Sequence, residues 1–202
     1  MAIRVPPGRA GRLWLVRRLE VARRGTDVLD QKRRTLLRER ERTAHEVATA
    51  AAAWEEQARE VAHQGARALA LAGERRLRLA AAHSGGPAGV DVTWRSAIGT
   101  VIPDEVTVDL PDPPNFVSLG GGSVVALAAE AHRRALRAGA AYAAARAAHD
   151  AIESELASTT RRLRAIERRW IPDHESALRQ LELRRRETEH WHPCQWSVSP
   201  RQ

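Results

Sequence analysis

Large aromatic side chains are scarce in this chain of 202 residues: Phe and Tyr occur once each, and aromatics make up 4%. A layered globular core of this size normally holds more such bulk, so the composition points away from a compact sandwich or barrel. Cysteine occurs once, as Cys194. That excludes an internal disulfide and fits a reducing cytoplasm. No run approaches the roughly 18–20 apolar residues needed to cross a bilayer. The opening MAIRVPPGRAGRLW is basic but has no apolar signal core. Any membrane association is therefore expected through partners. Gly120-Gly121-Gly122 is followed by Ser123 and Val124, where a phosphate-cradling loop needs lysine, and reads as a linker. No Ser/His/Asp set falls in a predictable pocket. Neither an enzyme nor a cofactor-binding protein finds support in the residues.

What dominates instead is alanine and arginine, both strong helix formers. Lys32 is the sole lysine, so arginine carries nearly all the positive charge, and the formal net charge is +8. Such a balance fits nucleic-acid binding. Yet 25 acidic residues are interspersed with the basic ones. That mixture is the pattern of a solvated helical face with pairs one turn apart.

Two heptad-patterned zones flank a zone of different character. From about Gly11 to His83 there is no proline. Steps of four and three pick out Leu15, Leu19, Ala22, Thr26, Leu29, Arg33, Leu36, Arg40, Thr43, Val47, Ala50, Trp54, Gln57 and Val61. A 3.5-residue apolar repeat predicts a left-handed coiled coil. Arg33 and Arg40 interrupt the seam, which weakens pairing but sets register or admits another partner. Gly25 costs a helix about 1 kcal/mol relative to alanine; either close approach of another backbone or drift explains it. From about Val124 to His190 a second seam reads Val124, Ala128, Ala131, Ala135, Ala138, Tyr142, Ala145, His149, Ile152, Leu156, Thr159, Leu163, Ile166 and Trp170. Its alanines permit close helix approach. Pro172 is expected to kink this helix or end its regular phase, with helical character resuming through Ala177, Leu178, Leu181 and Leu183.

Between the arms, Val90-Val92-Trp94 and Val106-Val108-Leu110 alternate with period two and predict paired antiparallel strands. Pro111, Pro113 and Pro114 force an extended stretch after them, and Ser123 is a candidate N-cap. The expected fold is mainly α: a long antiparallel two-helix coiled coil with a small β-hairpin insert. Its parts are an N-terminal helix over 1–83, the insert over 84–122, a C-terminal helix over 123–190 and a flexible tail over 191–202. Arms of about 70 residues, at about 1.5 Å per residue, would each reach roughly 100 Å. In the tail, His190, His192 and Cys194 are metal-ligand residue types, but no fourth ligand is evident, and a frayed terminus accounts for them as well.

Two segments resemble signatures of the D subunits of V/A-type ATPases. The first is Pro7-Gly8-Arg9 followed by Leu13, Leu19, Ala22, Arg23, Arg24, Gly25, Leu29, Lys32, Arg33 and Leu36. The second is Thr160-Arg161-Arg162-Leu163-Arg164-Ala165-Ile166-Glu167 with Trp170-Ile171-Pro172. Leu181, Glu182, Arg184, Arg186 and Glu187 echo an acidic-basic segment found at the same place in the family. Gly8 stands where the family has threonine, and Arg164 where it has asparagine. The resemblance covers nearly the whole chain and implies a central-stalk rotor axle with no catalytic, cofactor or metal residues of its own. The implied partners are the F subunit, the A/B catalytic hexamer and the C subunit at the membrane rotor ring. The implied location is peripheral, on the cytoplasmic face of the plasma membrane. Contacts to the hexamer are expected at Arg9, Arg24, Gly25, Lys32, Arg33, Arg161, Arg162, Glu167, Ile171 and Pro172. An axle turning in a sleeve is further expected to show a small-residue and charged outer surface with few large apolar anchors.

Two alternatives stay open on sequence. A coiled-coil scaffold of another assembly would have no affinity for A and B subunits. A basic nucleic-acid-binding coiled coil would bind with a steep salt dependence, although aromatics do not interleave with its basic residues.

Overall fold

The computed structural model describes residues 5–82, 86–112 and 122–194, with side chains as far as residue 187. In chain order the elements are α1 (Gly8–Ala72), α2 (Glu74–Ala82), β1 (Gly89–Ala97), β2 (Thr100–Asp109), α3 (Gly122–Ala165), a π-helical turn (Ile166–Trp170) and α4 (Ile171–Cys194). Two long helical stretches thus flank an antiparallel hairpin, the expected class. The chain forms two compact units: Met1–Thr35 with Leu156–Gln202, and Leu36–Glu155.

In the first unit Leu15 and Leu19 of α1 are buried, as are Thr159 and Leu163 of α3 and His174 of α4. Arg12 pairs with Glu182 at 3.0 Å and Arg23 with Glu175 at 2.8 Å. Numbers rise along α1 as they fall along α4, so the arms are antiparallel. Both pairs are exposed, and such pairs contribute at most about 1 kcal/mol each. A fully buried leucine contributes about 1.5–3 kcal/mol, so the seam holds the unit together.

The helix passes through Pro172 without ending, but its phase changes just before it. The proline has no N–H to offer, and just before it the ladder slips to five-residue spacing, with the Ile171 N–H donating to the Ile166 carbonyl. One extra residue is absorbed. Continued four-three spacing beyond Trp170 would bury Asp173 and Gln180, both of which are exposed. His174 is buried and Leu178 and Leu181 are half-buried, each one place later than Asp173, Ala177 and Gln180, of which Ala177 is half-buried too.

In the second unit Leu36, Thr43, Ala128, Ala131, Ala148 and Ile152 are buried. Thr43 Oγ1 donates to the Arg40 carbonyl at 3.1 Å and lies 3.0 Å from His149 Nδ1 on the opposite arm. Its one proton is committed to that carbonyl, so the imidazole N–H is the donor in the second bond. Trp54 stacks on Tyr142 with ring centroids 5.6 Å apart. Trp54 holds a seam position yet is 40% exposed. Its indole lies against Gly139 of the other arm, where a Cβ would sit 3.2 Å from Trp54 Nε1.

The first arm breaks before His83, which lies outside the described residues. Gly73 takes a left-handed φ of 78°, and its N–H donates to the Leu69 carbonyl at 3.1 Å, the glycine helix ending. The strands are longer than Val90–Trp94 and Val106–Leu110. They meet at a two-residue turn, Ile98-Gly99, with φ of 55° and 79°, the hairpin turn that needs both residues left-handed. Trp94 faces Pro103, and the register shifts between Val92 and Trp94. α3 opens at Gly122, one residue before Ser123. Of the triple glycine, Gly120 and Gly121 lie outside the described residues, as do Pro113 and Pro114. α4 continues to Cys194, past the expected helix end at His190.

Candidate functional site

Each residue expected to contact a surrounding hexamer lies in the first unit. Arg9, Arg24, Arg161, Arg162, Glu167 and Pro172 are exposed; Gly25, Lys32, Arg33 and Ile171 are half-buried. The Arg23–Glu175 pair sets the Gly25 stretch beside the helix just past Pro172, so the two signature segments share one region. Arg33 turns away from its seam role and chelates Asp30 on its own helix, at 2.7 and 3.0 Å. Arg34 holds the other Asp30 oxygen at 2.7 Å. The Arg33 hydrogen bonds chiefly, with Arg34 assisting, keep the Asp30 carboxyl below its usual range. Around Gly25 a Cβ would meet nothing within 4 Å. Among the described residues, no backbone packs against that glycine closely enough to require it.

An aromatic cluster lies at the same place. The Trp170 ring stacks on His174 at 3.6 Å, and Trp14 lies 6.5 Å from His174. The Arg18 guanidinium sits 4.7 Å from the Trp14 ring centre and 5.7 Å from that of Trp170. His174 Nδ1 is 2.8 Å from the Trp170 carbonyl. Sequence reasoning placed Trp170 on the seam but missed Trp14, Arg18 and His174. Trp14 and Arg18 are one turn apart, which is a signal, yet their meeting with Trp170 depends on cross-arm register. Beside the cluster, Leu13 and Val21 are exposed, and farther along α1 so is Val28. The outer surface therefore carries large apolar side chains, contrary to the expectation of few apolar anchors.

In the second unit, Glu39 of α1 receives Arg42 at 2.5 Å and Arg95 of β1 at 3.3 Å. Arg42 also contacts Glu46. The Arg42 hydrogen bond is the main cause that holds the Glu39 carboxyl below its usual range, with Arg95 adding to it. Arg95 reaches Asp104 as well, at 3.0 Å, and so ties the hairpin to the helix.

Among the described residues, no cluster of three or more His, Cys, Asp or Glu side chains is placed to hold a metal ion. The side chains of His190, His192 and Cys194 lie outside them. No helix among the described residues is long and apolar enough to cross a membrane.

The family of ATP synthase D subunits matches over residues 13–190. No curated protein matches the chain. With nearly the whole length inside that match, the chain belongs to the ATP synthase D-subunit family and is a subunit of a rotary ATPase.

Proposed function

We propose that this chain is the central-stalk axle of a V/A-type ATPase or ATP synthase. It transmits torque between the A/B catalytic hexamer and the membrane rotor ring, in contact with the F and C subunits, at the cytoplasmic face of the membrane. The observation that carries this is the seam. Large apolar side chains lock the two arms in both units, and the π-helical turn keeps the seam buried past Pro172. Clasped helices resist bending and twisting better than a single helix does, because distortion must break interlocked side-chain contacts. The hexamer contacts are assigned to the first unit, with exposed Arg161 and Arg162 foremost and Arg9, Arg24, Gly25, Lys32, Arg33, Glu167, Ile171 and Pro172 around them.

Reconstitution tests this. The purified chain should form a complex with the F subunit, and the pair should load into the A/B hexamer. Replacing Arg161 and Arg162 with alanine should lower coupled ATPase activity while leaving the arms folded. Unchanged coupling in that variant would remove these arginines from the contact. A chain that binds DNA and ignores the hexamer would overturn the assignment of function.

A further inference from the structure

Along α1 no residue between Leu19 and Leu36 is buried, and on the other arm none between Leu163 and His174. The two gaps lie at one level. The Arg18 guanidinium reaches the Trp170 ring, and Trp170 shares a groove with Ala22. Because the arms are antiparallel, Ile166, one turn before Trp170, comes level with Gly25. The seam positions there, Ala22, Thr26, Leu29, Ile166 and Trp170, are only half-buried. The Arg23–Glu175 pair at the edge of this level is largely exposed and adds little.

Both backbones are weakened at the same level. In α1, Gly25 is the residue least committed to a helix. Next to it, Thr26 Oγ1 donates to the Arg23 carbonyl at 2.6 Å and competes for an acceptor of the helix ladder. On the other arm the Ile171 N–H donates to the Ile166 carbonyl, and Pro172 has no N–H. The Glu167 carbonyl is therefore left without a donor within the helix. No residue of the π-helical turn is buried. Glycine, proline and π-bulges are the sites where helices bend. Sparse packing alone does not single out this level, since α1 buries nothing between Thr43 and Ala68 either. There, however, the other arm is unbroken α-helix, and Trp54 stacks on Tyr142. Among the described residues, only the Gly25 level combines loose packing with faults in both helices.

We infer that this level is a soft joint, where the clasped arms open and twist before the seam on either side does. Leu15 and Leu19 anchor one side of it, and Thr159 and Leu163 the other. In an axle the joint absorbs twist under load. That role rests on the function proposed above; the joint itself does not.

Hydrogen exchange on the full chain, followed by mass spectrometry, tests the joint. Amides over 20–31 and 166–175 should exchange about tenfold faster than those over 44–61, where packing is as sparse but the helices are intact. Gly25→Ala should slow exchange over 20–31 about fivefold, the alanine preference expressed as an opening equilibrium. Deleting Pro172 removes the extra residue and the missing donor together, and leaves Ile166, Trp170, His174, Leu178 and Leu181 at four-three steps. It should slow exchange over 166–175 by about the same factor. Exchange no faster at this level than over 44–61 would overturn the joint. So would unchanged exchange in Gly25→Ala, whatever the deletion does to folding. The twist role is read in the reconstituted complex with the A/B hexamer, from the angular fluctuation of a bead attached to the stalk. Gly25→Ala combined with the deletion should narrow that fluctuation. Equal widths would remove the twist role and leave the axle function standing, whereas failure of the parent chain to load would overturn that function and leave the joint.

Discussion

Gly25 and Gly139 both sit inside long helices, yet replacing each with alanine should have different results. Neither has a left-handed φ. Alanine in a helix interior is favoured over glycine by about 0.8–1.0 kcal/mol. At Gly25 the new methyl group meets nothing within 4 Å, so the gain should appear nearly whole. For a chain of this length that corresponds to a rise of about 2–4 °C in the thermal midpoint. At Gly139 the methyl group would lie 3.2 Å from Trp54 Nε1 and 3.3 Å from Cδ1. The indole must shift, and its stacking on Tyr142 is at stake. Such aromatic pairs contribute about 0.5–1.5 kcal/mol, which offsets the gain. Gly139→Ala should therefore be neutral or destabilising, and Gly139→Ala combined with Trp54→Ala should recover the propensity gain relative to Trp54→Ala alone. Thermal unfolding followed by far-UV circular dichroism measures all of these. A midpoint for Gly25→Ala at or below the parent's would refute the reasoning, and so would equal stabilisation at both sites. The same variant separates the two explanations for Gly25. If a hexamer backbone approaches it closely, Gly25→Ala stabilises the isolated chain but weakens loading; if loading is unchanged, the glycine has no role in that contact.

Two further predictions concern the second unit. The Glu39 carboxyl titrates below its unfolded value because Arg42, then Arg95, hold it. Its contribution is thus complete above the ordinary glutamate range of about 4.3 and is lost as pH falls through the lower folded value. Glu39→Gln should flatten the acid limb of a plot of thermal midpoint against pH, and an unchanged limb would show that the Arg42 and Arg95 contacts do not couple to folding. Ile98 is β-branched and left-handed at φ 55°, a conformation that costs a non-glycine residue about 1–3 kcal/mol. Ile98→Gly should slow amide exchange in β1 and β2, and faster exchange would mean that the packing of the half-buried Ile98 outweighs its strain.

The seam was legible because it needs only local spacing. Leu15, Leu36, Ile152 and Leu163 recur at steps that no strand or loop would keep, and all are buried. The hairpin was legible as a pair of alternating runs, but its extent was not. Pro103 hid the start of β2, because proline is excluded from central strands; in a two-stranded sheet both strands are edges and tolerate it. Ile98 hid the turn, since a β-branched residue is a poor candidate for a left-handed position. The Trp14–Arg18–Trp170 cluster was legible only in part: Trp14 and Arg18 lie one turn apart, but their meeting with Trp170 depends on how far one arm slides along the other. The residues proposed to contact the hexamer were named from resemblance alone, and the geometry adds that they share one unit and that Arg33 is occupied by Asp30.

Pro172 raises a question of cause: does the proline create the π-helical turn, or does the sequence downstream? In uninterrupted phase the seam would have to take in Asp173, Ala177, Gln180 and Arg184. Burying an unpaired carboxylate costs several kcal/mol. One inserted residue rotates the rest of the helix by about 100° and brings in His174, Leu178 and Leu181 instead, where each leucine contributes up to about 1.5–3 kcal/mol. Against this, Pro172→Ala restores a donor worth about 1 kcal/mol net and relieves any clash in the helix. The downstream seam outweighs the proline, so Pro172→Ala should keep the turn. Arm register reports it. With Cys194 replaced by serine, cysteines at 12 and 182 should be joined by a short thiol-specific crosslinker in the parent, where the Arg12 and Glu182 side chains meet, and in the Pro172→Ala variant alike. If the partner moves from 182 to 181 in the variant, the proline holds the turn and the seam merely adjusts to it.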